Sequence, residues 1–283
     1  MKKIGIIDFY IDEWHSNTYL GLFERAAKNL GLDYTVAYAW AELDRFENRR
    51  STDEWCAENG IERCETIEEL CEKSDNILIL APANPEKHLP YAERALKYKK
   101  ATYIDKTFSE NVGAAKKIYE IATKYGTPIF STSALRYAVE LEGIDNVQSL
   151  VVTGGGRSLE EYIVHQIEMA VKLMGSSALD VRVFDRDAHS TAIVNFGGRY
   201  ATLNYSRSGS FCVDALLSGE ATSRYLPIKN GDYFYLLIES ILKFFTSGTA
   251  PFDAEQTIAV IAIRDAIIKA KAQPFGEVVR VIK

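Results

Sequence analysis

A chain of 283 residues, 47% hydrophobic and 25% charged, carries apolar material for one large core or two modest ones and is neither disordered nor fibrous in composition. Its net charge of −6 excludes a general affinity for nucleic-acid backbones, which needs clustered Lys and Arg. No run approaches the roughly 20 apolar residues of a bilayer span and no signal-peptide pattern opens the chain, so a cytoplasmic protein is expected.

The apolar run from Lys3 to Ile7 predicts a strand. After an irregular stretch, Tyr19, Leu22, Phe23, Ala26, Ala27 and Leu30 fall at helical spacing before Gly31. Strands are expected at 34–40, 76–81, 101–104 and 127–130, with helices at 67–72, 85–99 and 109–125. The all-apolar Ile77-Leu78-Ile79-Leu80 suits a strand buried on both faces. This alternation predicts a doubly wound parallel sheet. After Ala138 a strand at 147–153 and a helix at 159–174 lead into consecutive strands at 181–184, 191–196, 200–205, 211–217 and 222–226. Short turns such as Phe196-Gly197-Gly198-Arg199 imply an antiparallel sheet. Helices at 233–245 and 254–272 and a strand at 278–281 close the chain. The expected architecture is α/β, a Rossmann-like domain over 1–136 followed by an α+β domain over 137–283 with a largely antiparallel sheet.

Cys56, Cys64, Cys71 and Cys212 form no CxxC pair and no metal-like spacing with the four histidines, so reduced, inert or buried thiols are expected and no metal site. A dinucleotide-binding turn needs glycines so that the backbone can approach a pyrophosphate seated on the next helix. Here the three positions of G-x-G-x-x-G fall on Asp8, Tyr10 and Glu13. Asp8, Asp12 and Glu13 put carboxylates where a dianion would sit, and one like-charge contact at about 4 Å costs roughly 4 kcal/mol, about a thousandfold in affinity. The acid that would hold the adenosine ribose is also missing after the second strand, where Glu42 is the nearest candidate. Gly154-Gly155-Gly156 is read as a tight strand-to-helix turn, not a phosphate cradle.

Two stretches at carboxyl ends of parallel strands, Ala81-Pro82-Ala83-Asn84-Pro85-Glu86-Lys87-His88 and Asp105-Lys106-Thr107, resemble the T-P-N-x-x-H and E-K-P motifs of the Gfo/Idh/MocA oxidoreductases. Glu161-Tyr162-Ile163-Val164-His165 is similar to that family's D-x-x-x-H, and Glu168 matches the acid three residues on. Ser131-Thr132-Ser133-Ala134-Leu135-Arg136 stands where relatives carry an asparagine- and arginine-rich stretch. The resemblance implies His165 as acid/base, Lys106 as polariser of a substrate oxygen and Glu161 as a carboxylate that orients the imidazole or grips a hydroxyl. It further implies NAD or NADP bound through Asp8, Tyr10, Ile11, Ala81, Asn84, His88, Asp105 and Lys106. A polyhydroxylated small-molecule substrate and a homodimer or homotetramer follow from the same analogy.

Plainer readings stand beside these. Lys106 also reads as a surface lysine, His165 as a core histidine, Glu161 and Glu168 as solvated helix acids, His88 as a helix-capping residue and His15 as tucked under its loop. His189 in Asp185-Arg186-Asp187-Ala188-His189 reads as a solvent-facing turn residue, and the aromatics Tyr233, Phe234, Tyr235, Phe244 and Phe245 as core or a subunit contact. Three functions remain open: an NAD(P)-dependent oxidoreductase acting on a CH–OH group, a cofactor-free homologue that binds another small molecule, and a catalyst of non-redox proton transfer.

Overall fold

The computed structural model describes residues 1–186 and 188–283. Its first sheet is built from β1 (Lys2–Tyr10), β2 (Tyr34–Leu43), β3 (Glu62–Arg63), β4 (Asn76–Ile79), β5 (Thr102–Ile104) and β6 (Ile129–Phe130). All pairs are parallel, in the order β3-β2-β1-β4-β5-β6. Helices α1 (Trp14–Leu30), α2 (Thr52–Asn59), α3 (Ile67–Lys73), α4 (His88–Ala95) and α5 (Val112–Tyr125) connect the strands. Ile4, Ile6 and Ile7 of β1 and the whole of Ile77–Ile79 are completely buried, as both-face coverage by helices requires. Strand order reverses between β1 and β4, so the turns that follow these two strands flank the topological switch point where such sheets bind ligands.

The second sheet is built from β7 (Val147–Gly155), β8 (Asp180–Arg186), β9 (His189–Asn195), β10 (Tyr200–Ser206), β11 (Cys212–Leu217), β12 (Arg224–Pro227) and β13 (Val278–Arg280), in the order β12-β11-β7-β10-β9-β8-β13. It is antiparallel except for β10, which runs parallel to β7. Alternate residues of β9 and β10 are buried, and they form one core with α6 (Leu159–Met174). Gly155 ends β7 against β10, where an added Cβ would lie 2.0 Å from the Ser206 carbonyl oxygen, so backbone crowding accounts for this glycine. Of the expected turn at 185–189, Asp187 lies outside the described residues, and the exposed His189 opens β9.

Two helices complete the chain, α7 (Tyr233–Ser247) and α8 (Ala254–Lys271). The chain divides into one unit of Met1–Thr132 with Phe234–Asp253 and a second of Ser133–Tyr233 with Ala254–Lys283. Helix α7 thus returns to the first unit, which differs from a single boundary at 136/137. The physical reason is aromatic: Phe244 packs edge-on to Phe130 with centroids 4.8 Å apart, and Phe245 stacks against Tyr34. The helix α2 and the strand β3 were not expected from sequence. No helix among the described residues is long and apolar enough to cross a membrane.

Candidate functional site

In the first unit, β1 extends to Tyr10 and α1 begins at Trp14, so the turn between them is only Ile11-Asp12-Glu13. Glu13 is the N-cap of α1: its carboxylate accepts the Ser16 N–H at 2.5 Å. A helix N-terminus offers unsatisfied N–H groups and a partial positive charge, the features that bind phosphate in a glycine-rich turn. Here the chain supplies its own carboxylate to that place. Asp8 lies beneath, 1% exposed, accepting the N–H groups of Phe9 (2.7 Å) and Ala81 (3.1 Å) and the Ser16 hydroxyl (3.0 Å). Burial, and next the charge of Glu13, push the Asp8 carboxyl well above the ordinary value of 3.8. Burial also works to raise Glu13, but the hydrogen bond and charge of His15 and the His15 and Ser16 amides outweigh it and leave Glu13 below 4.5.

The remaining loop side chains are likewise engaged within the first unit. Tyr10 stacks on Phe46 at 4.4 Å with the Arg49 guanidinium over its ring, and Ile11 is buried. Asp12 pairs with Arg50 at 2.7 Å and accepts from Asn17, and the Arg50 hydrogen bond holds its carboxyl far below the usual range. Glu42 pairs with Lys87 and accepts the Tyr91 hydroxyl at 2.7 Å. The glycine cradle is therefore replaced by a packed set of side chains, and the residues at this turn do not fit a pyrophosphate held in the ordinary mode.

At the end of β4, Ala81 holds a left-handed backbone with φ of 41°, unusual for a residue with a Cβ, while its N–H points at Asp8. Asn84 reaches Glu86. His88 is completely buried, with Nε2 2.6 Å from the Leu80 carbonyl oxygen and Nδ1 3.0 Å from that of Phe108. The ring thus sits between carbonyls of the loops after β4 and β5, and since burial lowers its pKa the neutral imidazole donates its single N–H to one of them. After β5, Asp105 is 1% exposed and accepts the Tyr103 hydroxyl at 2.9 Å through Oδ1. Lys106 Nζ donates to the Pro82 carbonyl at 3.2 Å and lies 3.9 Å from Asp105 Oδ2. The Lys106–Thr107 peptide bond is cis. His15, on the first turn of α1, points its Nδ1 at Glu13 (3.1 Å) and its Nε2 at Asp105 (3.7 Å). Lys106, Asp105, Ala81 and Asp8 are thereby gathered at the carboxyl ends of β1, β4 and β5, and His15 joins them from α1.

In the second unit, α6 carries His165, whose Nδ1 lies 2.7 Å from the Ser133 hydroxyl and whose ring contacts Tyr162 and Phe211. Ser133 also accepts the Leu135 N–H. Glu161 shares the helix face with His165, but its carboxylate pairs with Arg157 on the helix's first turn. A group within hydrogen-bond distance of the imidazole is the Ser133 hydroxyl. Glu168 is buried and paired with Arg136 at 2.9 Å, which also reaches Gln256, so this acid belongs to a buried ion pair. Sequence reasoning did not single out Ser133, and it weighed His15 as a pocket residue only behind the plainer reading of an imidazole tucked under its loop. The only signal for either was position: a hydroxyl in the stretch after β6, and an imidazole two residues past the last missing glycine.

No protein-family model and no curated protein matches the sequence. Solved structures match it along its length. UDP-N-acetylglucosamine 3-dehydrogenase GnnA from Acidithiobacillus ferrooxidans is 16% identical with a TM-score of 0.75, covering 95% of this chain and 97% of its own. An oxidoreductase from Thermotoga maritima is 16% identical with a TM-score of 0.73 over 99% of this chain and 98% of its own. GenD2 from gentamicin A biosynthesis, solved in complex with NAD, is 12% identical with a TM-score of 0.78 over 100% of this chain and 97% of its own. The fold is thus the two-domain fold of Gfo/Idh/MocA oxidoreductases, as the motifs suggested.

Proposed function

We propose that this protein is a Gfo/Idh/MocA homologue that handles a polyhydroxylated small molecule with acid–base groups and without a dinucleotide in the ordinary pyrophosphate mode. The observation that carries this reading is Glu13 seated on the N-terminus of α1 with Asp8 buried beneath it. A pyrophosphate there would have to displace one carboxylate and lie against another, at the like-charge cost given above. The residues that suit a hydroxyl substrate are kept. Lys106 supplies an ammonium that favours a developing alkoxide. His165, within hydrogen-bond distance of Ser133, supplies an imidazole, the side chain whose ordinary titration lies nearest neutrality. Proton removal from a carbon or hydroxyl needs a base and a group that favours the anion formed, and no hydride acceptor.

A second reading, an NAD(P)-dependent oxidoreductase acting on a CH–OH group, is favoured by the full-length likeness to GenD2, which was solved with NAD. Calorimetric titration of NAD, NADH, NADP and NADPH into the intact protein decides between them. The expected result is no binding up to about 1 mM, a concentration that reveals any interaction stronger than roughly 4 kcal/mol. Micromolar binding that Lys106→Ala weakens would overturn the first reading and establish the second.

A further inference from the structure

Asp105 presents an anomaly that the proposed function does not use. Its carboxylate is 1% exposed, and Oδ2 has no hydrogen-bond partner. A buried acceptor left unsatisfied is costly, about 1–3 kcal/mol, and marks a place where a partner is missing. Around that oxygen stand His15 Nε2 at 3.7 Å and Lys106 Nζ at 3.9 Å. These separations are too long for a direct hydrogen bond, and short enough for one oxygen atom to bridge each pair. The His15 and Lys106 side chains are 13% and 15% exposed, so the cluster opens to the outside.

The proton inventory identifies what belongs there. Glu13 is a carboxylate and can only accept, so His15 Nδ1 carries a hydrogen toward it. That leaves Nε2 as the ring atom facing Asp105. The cluster therefore presents a buried acceptor, Asp105 Oδ2, a cationic donor, Lys106 Nζ, and the ring nitrogen His15 Nε2. Neighbouring hydroxyls of a polyol match this set, since each can donate and accept: one O–H donates to Asp105 Oδ2, an oxygen accepts from the ammonium, and a hydroxyl meets Nε2 in either role. A phosphate brings its negative charge against the Asp105 carboxylate, while a cationic ligand meets the lysine. Beside the cluster the indole of Trp14, half exposed, packs against His15 and Phe234 and offers an apolar surface to the C–H face of such a molecule.

We propose that His15, Asp105 and Lys106 form a hydroxyl-binding subsite for a polyol or sugar, built from residues that occupy the side of the sheet where a glycine-rich turn would hold a dinucleotide. The inference rests on the reading that the chain handles a polyhydroxylated molecule, but it can fail separately.

Four histidines make ring-nitrogen NMR a direct probe, with each signal assigned by substitution and the completely buried His88 as an internal control. Myo-inositol, titrated to about 0.1 M so that any site of ~1 mM affinity saturates, is expected to move the His15 ring signals saturably and leave those of His88 in place. Inorganic phosphate at the same concentration is expected to move neither. Asp105→Asn keeps Oδ1 for Tyr103 and removes the charge, and should weaken the inositol response at least about tenfold. His15→Gln, read through the Trp14 indole signal, should weaken it likewise, so the test survives misfolding of one variant. An unmoved His15, or an inositol response unchanged in Asp105→Asn, overturns the subsite. Nucleotide binding by calorimetry would overturn the proposed function whatever His15 does, which keeps the two failures apart.

Discussion

Asp8 combines complete burial with a nearby like charge, and its titration should be visible in stability. Unfolded, it ionises near 3.8, whereas burial and Glu13 raise it well above that in the native state. As pH climbs from the unfolded toward the native value, the unfolded chain releases a proton that the native chain keeps, so stability falls with rising pH. Glu13 acts in the opposite sense: its native value lies below 4.5, so its contribution is present above that pH and is lost as pH drops through the native value. In Asp8→Asn the amide oxygen can still accept from Phe9 and Ala81, and the amide nitrogen can donate to the Ser16 hydroxyl. That variant should be about 1 kcal/mol more stable than wild type at pH 8 and gain less at pH 4, read from urea midpoints. An equal gain at both would show that the acid is not the source. The thiols make a simpler case, since burial pushes Cys56 and Cys64 to about 11 and Cys71 to about 12. Little thiolate exists at neutral pH, and an aromatic disulfide reagent should leave all three untouched until the chain is unfolded. Among the candidate residues, Lys106 and His165 were those that motif order and spacing brought forward in the sequence. His15 and Ser133 were not, because a lone imidazole or hydroxyl acquires its role only when the fold sets it 3.7 Å from Asp105 or 2.7 Å from His165.

Helix α2 shows what pattern reading loses. Its buried residues are Thr52, Trp55 and Cys56, too few to form a repeating apolar stripe over eight positions. What starts the helix is a capping box: Ser51 accepts the Glu54 N–H at 3.2 Å, and the Glu54 carboxylate accepts the Ser51 N–H at 2.8 Å. Ser51→Ala should lower stability by about 1 kcal/mol, and an unchanged denaturation midpoint would mean that packing of Trp55 alone holds the segment. The longer helix α6 was legible to its ends because a capping serine and a strong apolar face agree. Helix α1 was not, since its first turn is fixed by Glu13, an acid in a place where the lost fingerprint drew attention to phosphate binding. Hairpin-like spacing did suggest the largely antiparallel second sheet that the strand pairing has. The register sets β10 parallel to β7, because β8 and β9 intervene in sequence but lie on the far side of β10.

At the scale of the whole chain, α7 has the largest consequence. The first unit is discontinuous, taking Phe234–Asp253 from far along the sequence. Local periodicity reveals an amphipathic helix but not which sheet it covers, so the sequence could mark α7 without assigning it to a unit. Leu237, Ile238, Ile241, Leu242, Phe244 and Phe245 are its buried residues. At about 1.5–3 kcal/mol for each buried side chain, their loss amounts to roughly 10 kcal/mol, comparable to the entire stability of an ordinary domain. A fragment of residues 1–136 should therefore fail to fold, leaving Phe130 and Tyr34 without their aromatic partners. A chain of 1–132 joined by a flexible linker to 234–253 should recover a cooperative thermal transition and dispersed amide NMR signals. Cooperative folding of 1–136 alone would show that the parallel sheet closes its own core and that α7 is an accessory to it.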